Sequence, residues 1–375
     1  MGKLVQVLSL FLLFLCSCHK SEMPSFSQDE IDAVNAAVQN VMTEMDVPGV
    51  VMGIYVPGKG EIILNKGLAD IQNNIISSPF KIFRIGDVTQ TFTALTLLQL
   101  VDDNKLSLDD KLSLFEPRIP NAGNITVRML LNHTSGIFSY TDDPAFIEAV
   151  TTYPLRSWSY EELIAITLTH PAAFEPGQGY ENSYTDYILL GLIIETVTGN
   201  PATTEINTNI VFRLGLKNTS MAEGAVIQGN YAHGYTFDLD GSLRDISQQE
   251  SATWGWTSAG MYADLTDLKI CAKAFATGRL LSASLKNEFT NWIPIPVQTG
   301  APQDYYTGLG IMKYKDVVGM AGSIYGYTSW MWYMPENQSV LIAFFNQTSV
   351  FTPERKIREQ ELLTGLLNSI LEIMR

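Results

Sequence analysis

Phe83-Arg84-Ile85-Gly86-Asp87-Val88-Thr89-Gln90-Thr91-Phe92-Thr93-Ala94 is the stretch on which the reading of this chain turns. Asp87 followed three residues later by Gln90 spells a capping box, in which the N-cap contributes about 1 kcal/mol. A helix is therefore expected to start at Asp87, with Val88, Phe92, Leu95, Leu98 and Val101 among its apolar residues. Just upstream, Ser78-Pro79-Phe80-Lys81 reads as a turn entering a strand.

Outward from this helix, strand patterns gather at both ends of the chain. Residues 29–45 carry Ile31, Val34, Val38, Val41 and Met42 at helical spacing. Residues 50–56 and 61–66, separated by Pro57-Gly58-Lys59-Gly60, read as a hairpin. Residues 307–315, 329–335 and 339–345 read as strands, and 353–374 as a final amphipathic helix. The middle, about 101–255, is richer in helical pattern and in loops such as Asn132-His133-Thr134-Ser135-Gly136 and Glu175-Pro176-Gly177-Gln178-Gly179. The fold class this predicts is α+β: an antiparallel sheet built from both chain ends, flanked by helices, with a mostly helical middle subdomain. A cleft is expected between the two parts, where binding sites prefer to form.

With 375 residues, 46% of them hydrophobic and 17% charged, the chain has ample core for one large domain. A net charge of -15 and a pI near 4.7 argue against electrostatic binding to nucleic acid or to an anionic membrane surface, because both need basic patches. Met1-Gly2-Lys3 and the apolar run from Leu4 to Leu15 read as a charged n-region and a short h-region of an export signal. Leu15-Cys16-Ser17-Cys18 resembles a bacterial lipobox with Cys18 as the lipidated residue; the plainer reading is an ordinary signal peptide that contains two cysteines. The expected organisation is residues 1–17 as signal, 18–28 as tether and 29–375 as the domain, exported and lipid-anchored to a bacterial membrane. Only Cys271 then remains as a thiol, so no internal disulfide supports the fold.

The residues flanking Asp87 resemble the serine beta-lactamase and D-alanyl-D-alanine carboxypeptidase family, particularly its class C and esterase-like branch. The resemblance implies the architecture described above and runs from about Asp29 to the last helix. In that family the frame around Phe83–Ala94 usually carries Ser-x-x-Lys, the serine as nucleophile and the lysine as its base. Here those positions are Asp87 and Gln90. An ionised carboxylate is a poor acyl acceptor and a glutamine amide has no basic nitrogen.

Two further family motifs also depart. Pro176-Gly177 and Tyr187-Ile188-Leu189-Leu190-Gly191 align without gaps, which puts Asn182-Ser183-Tyr184 where Tyr-x-Asn belongs: Asn182 at the tyrosine and Tyr184 at the asparagine position. Tyr180-Glu181-Asn182 also spells Tyr-x-Asn, two residues early, and Tyr180 is a cleft candidate in either register. Gly319-Met320-Ala321-Gly322-Ser323-Ile324-Tyr325-Gly326-Tyr327 keeps the glycines of a strand motif that begins with His or Lys but places Met320 first, where it reads as apolar filling. The resemblance implies an oxyanion hole from the backbone amides of Asp87 and Ser323. A carboxylate beside it would repel a like charge about 4 Å away by ~4 kcal/mol at an effective dielectric near 20, so ligands with a terminal carboxylate are disfavoured.

The remaining candidates point to structure. Ser78-Pro79-Phe80-Lys81 is a literal Ser-x-x-Lys outside the frame, and His133 reads as a loop brace. His170 and His233 have no acidic or cysteine partners at metal spacing, so neither a metal site nor a cofactor is expected. Trp254-Gly255-Trp256 and Tyr305-Tyr306 line a cleft or fill the core. With Asp87, Gln90, Asn182, Tyr184 and Met320 all departing from the family's catalytic types, the expectation is a surface lipoprotein without catalysis. Its expected partner is a small molecule, a peptide or an envelope protein. The rivals are an enzyme of the same fold with rewired chemistry, using Asp87 as a general base for water, and a purely structural role at the envelope.

Overall fold

The computed structural model describes residues 25–237, 241–296, 303–348 and 353–375. The expected signal, the Cys18 lipidation site and most of the tether lie outside the described residues.

The core element is a nine-stranded antiparallel sheet. Its members are β1 (Gly49–Val56), β2 (Gly60–Asp70), β3 (Ile75–Ile76), β4 (Ile293–Pro294), β5 (Tyr305–Thr307), β6 (Met312–Tyr314), β7 (Val317–Ile324), β8 (Tyr327–Met334) and β9 (Ser339–Phe345). They lie side by side in the order β3-β2-β1-β9-β8-β7-β6-β5-β4. The two chain ends meet where β1 pairs with β9, Val50 opposite Phe345. The sheet from both ends is thus observed. The strand expected over 307–315 is instead a tight hairpin, β5 to β6. Gly308 and Gly310 make the turn: Gly308 donates to Ile311 O at 2.7 Å and Gly310 has φ 82, which a side chain disfavours.

Side chains alternate across the sheet with period two. Val50, Met52 and Ile54 of β1, Trp330 and Trp332 of β8, and Leu341, Ala343 and Phe345 of β9 face one core. Val51, Met331, Tyr333, Ile342 and Phe344 face the other. The first core is covered by α1 (Gln28–Met45), opened by a capping box between Ser27 and Glu30, and by the last helix, Pro353–Met374.

The second core holds α2 (Val88–Asp102), buried on every side from Val88 to Leu98. It is wedged between the sheet and the helical middle, whose central member is α3 (Tyr184–Thr198). Thr93 Oγ1 donates to Thr257 O at 2.7 Å and Thr257 Oγ1 to Tyr187 O at 2.8 Å, which ties α2 to α3 through the short helix Trp256–Ala259. Ser78-Pro79-Phe80-Lys81 is the expected turn: Lys81 N donates to Ser78 O at 3.1 Å before the two-residue strand Phe83–Arg84. No helix among the described residues is long and apolar enough to cross a membrane.

Candidate active site

The site is built where two backbones touch. Gly86 has φ 51, and a Cβ on it would lie 2.4 Å from Ser323 O. A Cβ on Gly322 would lie 2.4 Å from Ile85 O and 2.7 Å from Asp87 N. With both side chains absent, β7 and the segment entering α2 pack main chain on main chain. Ser329 Oγ, donating to Ile85 O at 2.8 Å, pins the junction. The amides of Asp87 and Ser323 therefore converge, as an oxyanion hole requires.

The occupant of that hole is Asp87 itself. Asp87 has αR backbone and makes no side-chain cap bond, so the expected capping box with Gln90 does not form. Its Oδ2 accepts from Ser323 N at 2.8 Å instead. A tertiary donor outcompetes the local cap, and the carboxylate sits inside the hole rather than beside it. Burial pushes the carboxyl above the usual carboxylate range; hydrogen bonds from the Ser323 amide, its own amide, the Tyr184 hydroxyl and the Asn182 side chain pull the other way. Tyr184 Oη also lies 3.2 Å from Ser323 O, so its one hydroxyl hydrogen is shared between that carbonyl and Asp87.

Gln90 lies one turn into α2 and is 1% exposed. Its Oε1 faces His133 Nε2 at 3.1 Å, while Nε2 points at Asp87 Oδ1 (3.4 Å), Asn182 Oδ1 (3.5 Å) and Ser258 Oγ (3.4 Å). Behind it, His133 Nδ1 lies 3.0 Å from Asp186 Oδ2, and Ser135 Oγ donates to Asp186 Oδ1 at 2.6 Å. Burial pushes the Asp186 carboxyl up, against the bonds from His133 and Ser135. A line of polar side chains, Asp186–His133–Gln90–Asp87, thus runs through a buried layer. Asp186 engages Nδ1, so Nε2 is the ring atom left to meet the Gln90 amide. His133 adopts φ 60, a region in which His is tolerated better than most residues. It does brace its loop, through His133 O accepting from Glu181 N at 3.1 Å. Its contact with Gln90 went unread in the sequence, because nothing local connects residue 133 with residue 90.

The other sequence candidates divide between this site and the core. Asn182 and Tyr184 reach Asp87, as the gapless register placed them. Met320 is buried on the α2 face of β7, an apolar filler. Tyr180, Asn182, Met320 and Thr307 line a cavity of about 30 Å³ against Asp87 and Gln90. Trp254 is buried and stacks on Tyr184, with centroids 6.1 Å apart, while Trp256 stacks on Tyr160. Tyr305 stacks on Tyr314 within the sheet. His170 meets Asp143 at 2.7 Å, and His233 meets Asp245 at 2.6 Å and Asp70 at 3.5 Å, partners that sequence spacing did not reveal. Among the described residues no three His, Cys, Asp or Glu side chains are grouped to hold a metal. Cys271 is a buried free thiol whose pKa burial pushes up, as for an inert structural cysteine.

Chemically, the arrangement differs from the Ser-x-x-Lys pair at both positions. There is no hydroxyl nucleophile at position 87 and no amine at 90. The two amides that would stabilise a tetrahedral oxyanion are taken by the Asp87 carboxyl group.

Comparison with known proteins places this geometry. The beta-lactamase family profile matches residues 34–365. Protein flp of Staphylococcus aureus (strain MW2) is 27% identical over 335 residues, which cover 88% of this chain and 65% of that protein, so the chain spans about two thirds of the relative's length. Among solved structures, a D-stereospecific amidohydrolase from Streptomyces sp. is similar with a TM-score of 0.76 and 28% identity, over 88% of this chain and 97% of that one. The D-amino acid amidase from Ochrobactrum anthropi SV3 complexed with D-phenylalanine gives 0.77 and 25%, over 92% and 99%.

Proposed function

This chain belongs to the beta-lactamase family, and from that premise we propose that it is a non-catalytic member, a lipid-anchored protein of the bacterial envelope whose cleft binds without cutting. One observation carries the reading: Asp87 Oδ2 holds the Ser323 amide at 2.8 Å. Loss of a single oxyanion donor costs an enzyme of this type roughly 10²–10³ in rate; here the donors on both sides are engaged by the Asp87 carboxyl group, and the family's nucleophile and base are missing as well. The anchor rests on the lipobox-like Leu15-Cys16-Ser17-Cys18, and the net charge of -15 agrees with a small-molecule, peptide or protein partner.

The test is covalent labelling. Purified full chain, kept in detergent, is incubated with a fluorophosphonate and with fluorescent penicillin, and its intact mass is measured. Wild type is expected to remain unmodified. The double variant Asp87→Ser, Gln90→Lys is expected to acquire the fluorophosphonate mass, because the two backbone donors persist once the carboxylate is gone. Labelled wild type would overturn the reading.

A second reading draws on the cavity of about 30 Å³ beside Asp87, since this volume suits one water that a carboxylate could activate. It requires turnover of an ester or amide that Asp87→Asn abolishes. Against it stands the same carboxylate, which cannot both hold the amides and leave them to the substrate.

A further inference from the structure

We infer that the cleft is a receptor for a primary ammonium group, seated in the cavity against Asp87 Oδ1; this rests on the reading that the cleft binds without cutting. The starting point is a buried carboxyl with no cation beside it. Among the described residues Asp87 has no ion-pair partner: its carboxylate is held only by neutral donors, the Ser323 and Asp87 amides, Tyr184 and Asn182, with Gln90 at a long 3.4 Å. In relatives that carry lysine three residues after residue 87, as the resemblance implies, the protein supplies its own cation on this helix edge. Gln90 withholds it, so a cation facing Asp87 has to come from outside.

Shape and donor count then select which cation. The cavity leaves about 30 Å³ for the centres of water-sized groups, more than one water requires. An –NH3⁺ head fits in that space, and a trimethylammonium head has no N–H to donate there. An ammonium has three N–H donors and no acceptor, and the residues lining the cavity carry groups able to accept: Asp87, Asn182, Tyr180 and Thr307. Met312 and Met320 supply an apolar wall for the carbon that bears the amine. The opening is on the side of Asn182, which is exposed. A carboxylate on the same ligand would approach an occupied anion hole, so amines without one, such as amino-acid amides, fit better than free amino acids. The net charge of -15 adds a long-range field that draws cations in.

The probe is methylammonium chloride, titrated into the full chain in detergent at constant ionic strength, with the thermal midpoint as readout and tetramethylammonium chloride and KCl as controls. A saturable rise is expected with methylammonium alone, half-complete on the order of 10 mM, near the ceiling for so small a ligand. Asp87→Asn is expected to lose the response. Because Asp87→Asn also alters the hole, Gln90→Lys provides an independent arm: its internal ammonium should pre-empt the site and abolish the methylammonium response in a folded protein. An equal response to KCl or tetramethylammonium, no response, or a response surviving in both variants would overturn the inference. Fluorophosphonate labelling of the same sample separates the two ideas: an unlabelled protein indifferent to methylammonium sinks the ammonium site alone, and a labelled one sinks the non-catalytic reading beneath it.

Discussion

Two buried carboxyls show what single residues cost this fold. Asp87 has its amides, but Glu250, 5% exposed, has an Oε1 without a hydrogen-bond partner. Burial pushes its pKa up to about 8, with the Arg84 guanidinium acting in the opposite direction. Arg84 spends its Nη2 on the carbonyls of Ala225 and Glu250, both at 2.9 Å. Since the folded pKa lies above the unfolded one, the folded chain holds a proton that the unfolded chain releases between pH 4.5 and about 8. Stability therefore falls as pH rises through that window, by at most about 1.4 kcal/mol per unit. Glu250→Gln imitates the protonated form and removes the slope. It is expected to gain about 2–4 kcal/mol over wild type at pH 8 and close to nothing at pH 4.5, as read by urea denaturation at both pH values; an equal gain at both would refute the assignment. Sequence exposed the anomaly at Asp87 and Gln90 but not its resolution. The capping box is a local rule, whereas the donor that Asp87 chose lies 236 residues away. Likewise His133 and Asp186 are ordinary loop and helix residues until the fold sets them 3.0 Å apart.

Elements were more legible than contacts. Period-two alternation in β8 and β9 and helical spacing in α1 follow from burial on defined faces, so these segments lie close to where their patterns put them. The stretch 307–315 reads as one strand because its apolar run hides a hairpin whose only local sign is a pair of glycines. A different pair, Gly86 and Gly322, controls the site through the junction of β7 with α2. Gly322→Ala places a methyl 2.4 Å from Ile85 O and must push the strand outward. The expected cost is about 1–3 kcal/mol, as for overpacking, together with faster hydrogen exchange at the Ser323 amide as it loses Asp87. Exchange measured by mass spectrometry checks the second part: unchanged protection at Ser323 would mean that the junction absorbs the methyl elsewhere.

Taken whole, the molecule has two cores that share one sheet. β1, β8 and β9 send alternate side chains into both, so neither core can melt without removing the support of the other. Leu371 of the last helix is 1% exposed in the first core, and Phe92 of α2 is fully buried in the second. Leu371→Ala is expected to cost about 2–5 kcal/mol and Phe92→Ala about 3–5. Each should shift one common transition, with tryptophan fluorescence and far-UV circular dichroism coinciding. Separation of the two signals in Leu371→Ala would show that the sheet does not couple the cores.

The seam between β1 and β9 has a temporal side. Gly49 N donates to Asn346 Oδ1 at 2.6 Å, across 297 residues of chain. At roughly 5–20 residues per second of synthesis, the first hairpin emerges about 15–60 s before the strand that completes it. Until then β1 presents an open, apolar edge, the kind that recruits foreign strands. A nascent chain of this design needs shielding by a chaperone or by continued extension, and stalling ribosomes just before residue 339 should yield aggregates that stalling beyond the last helix does not.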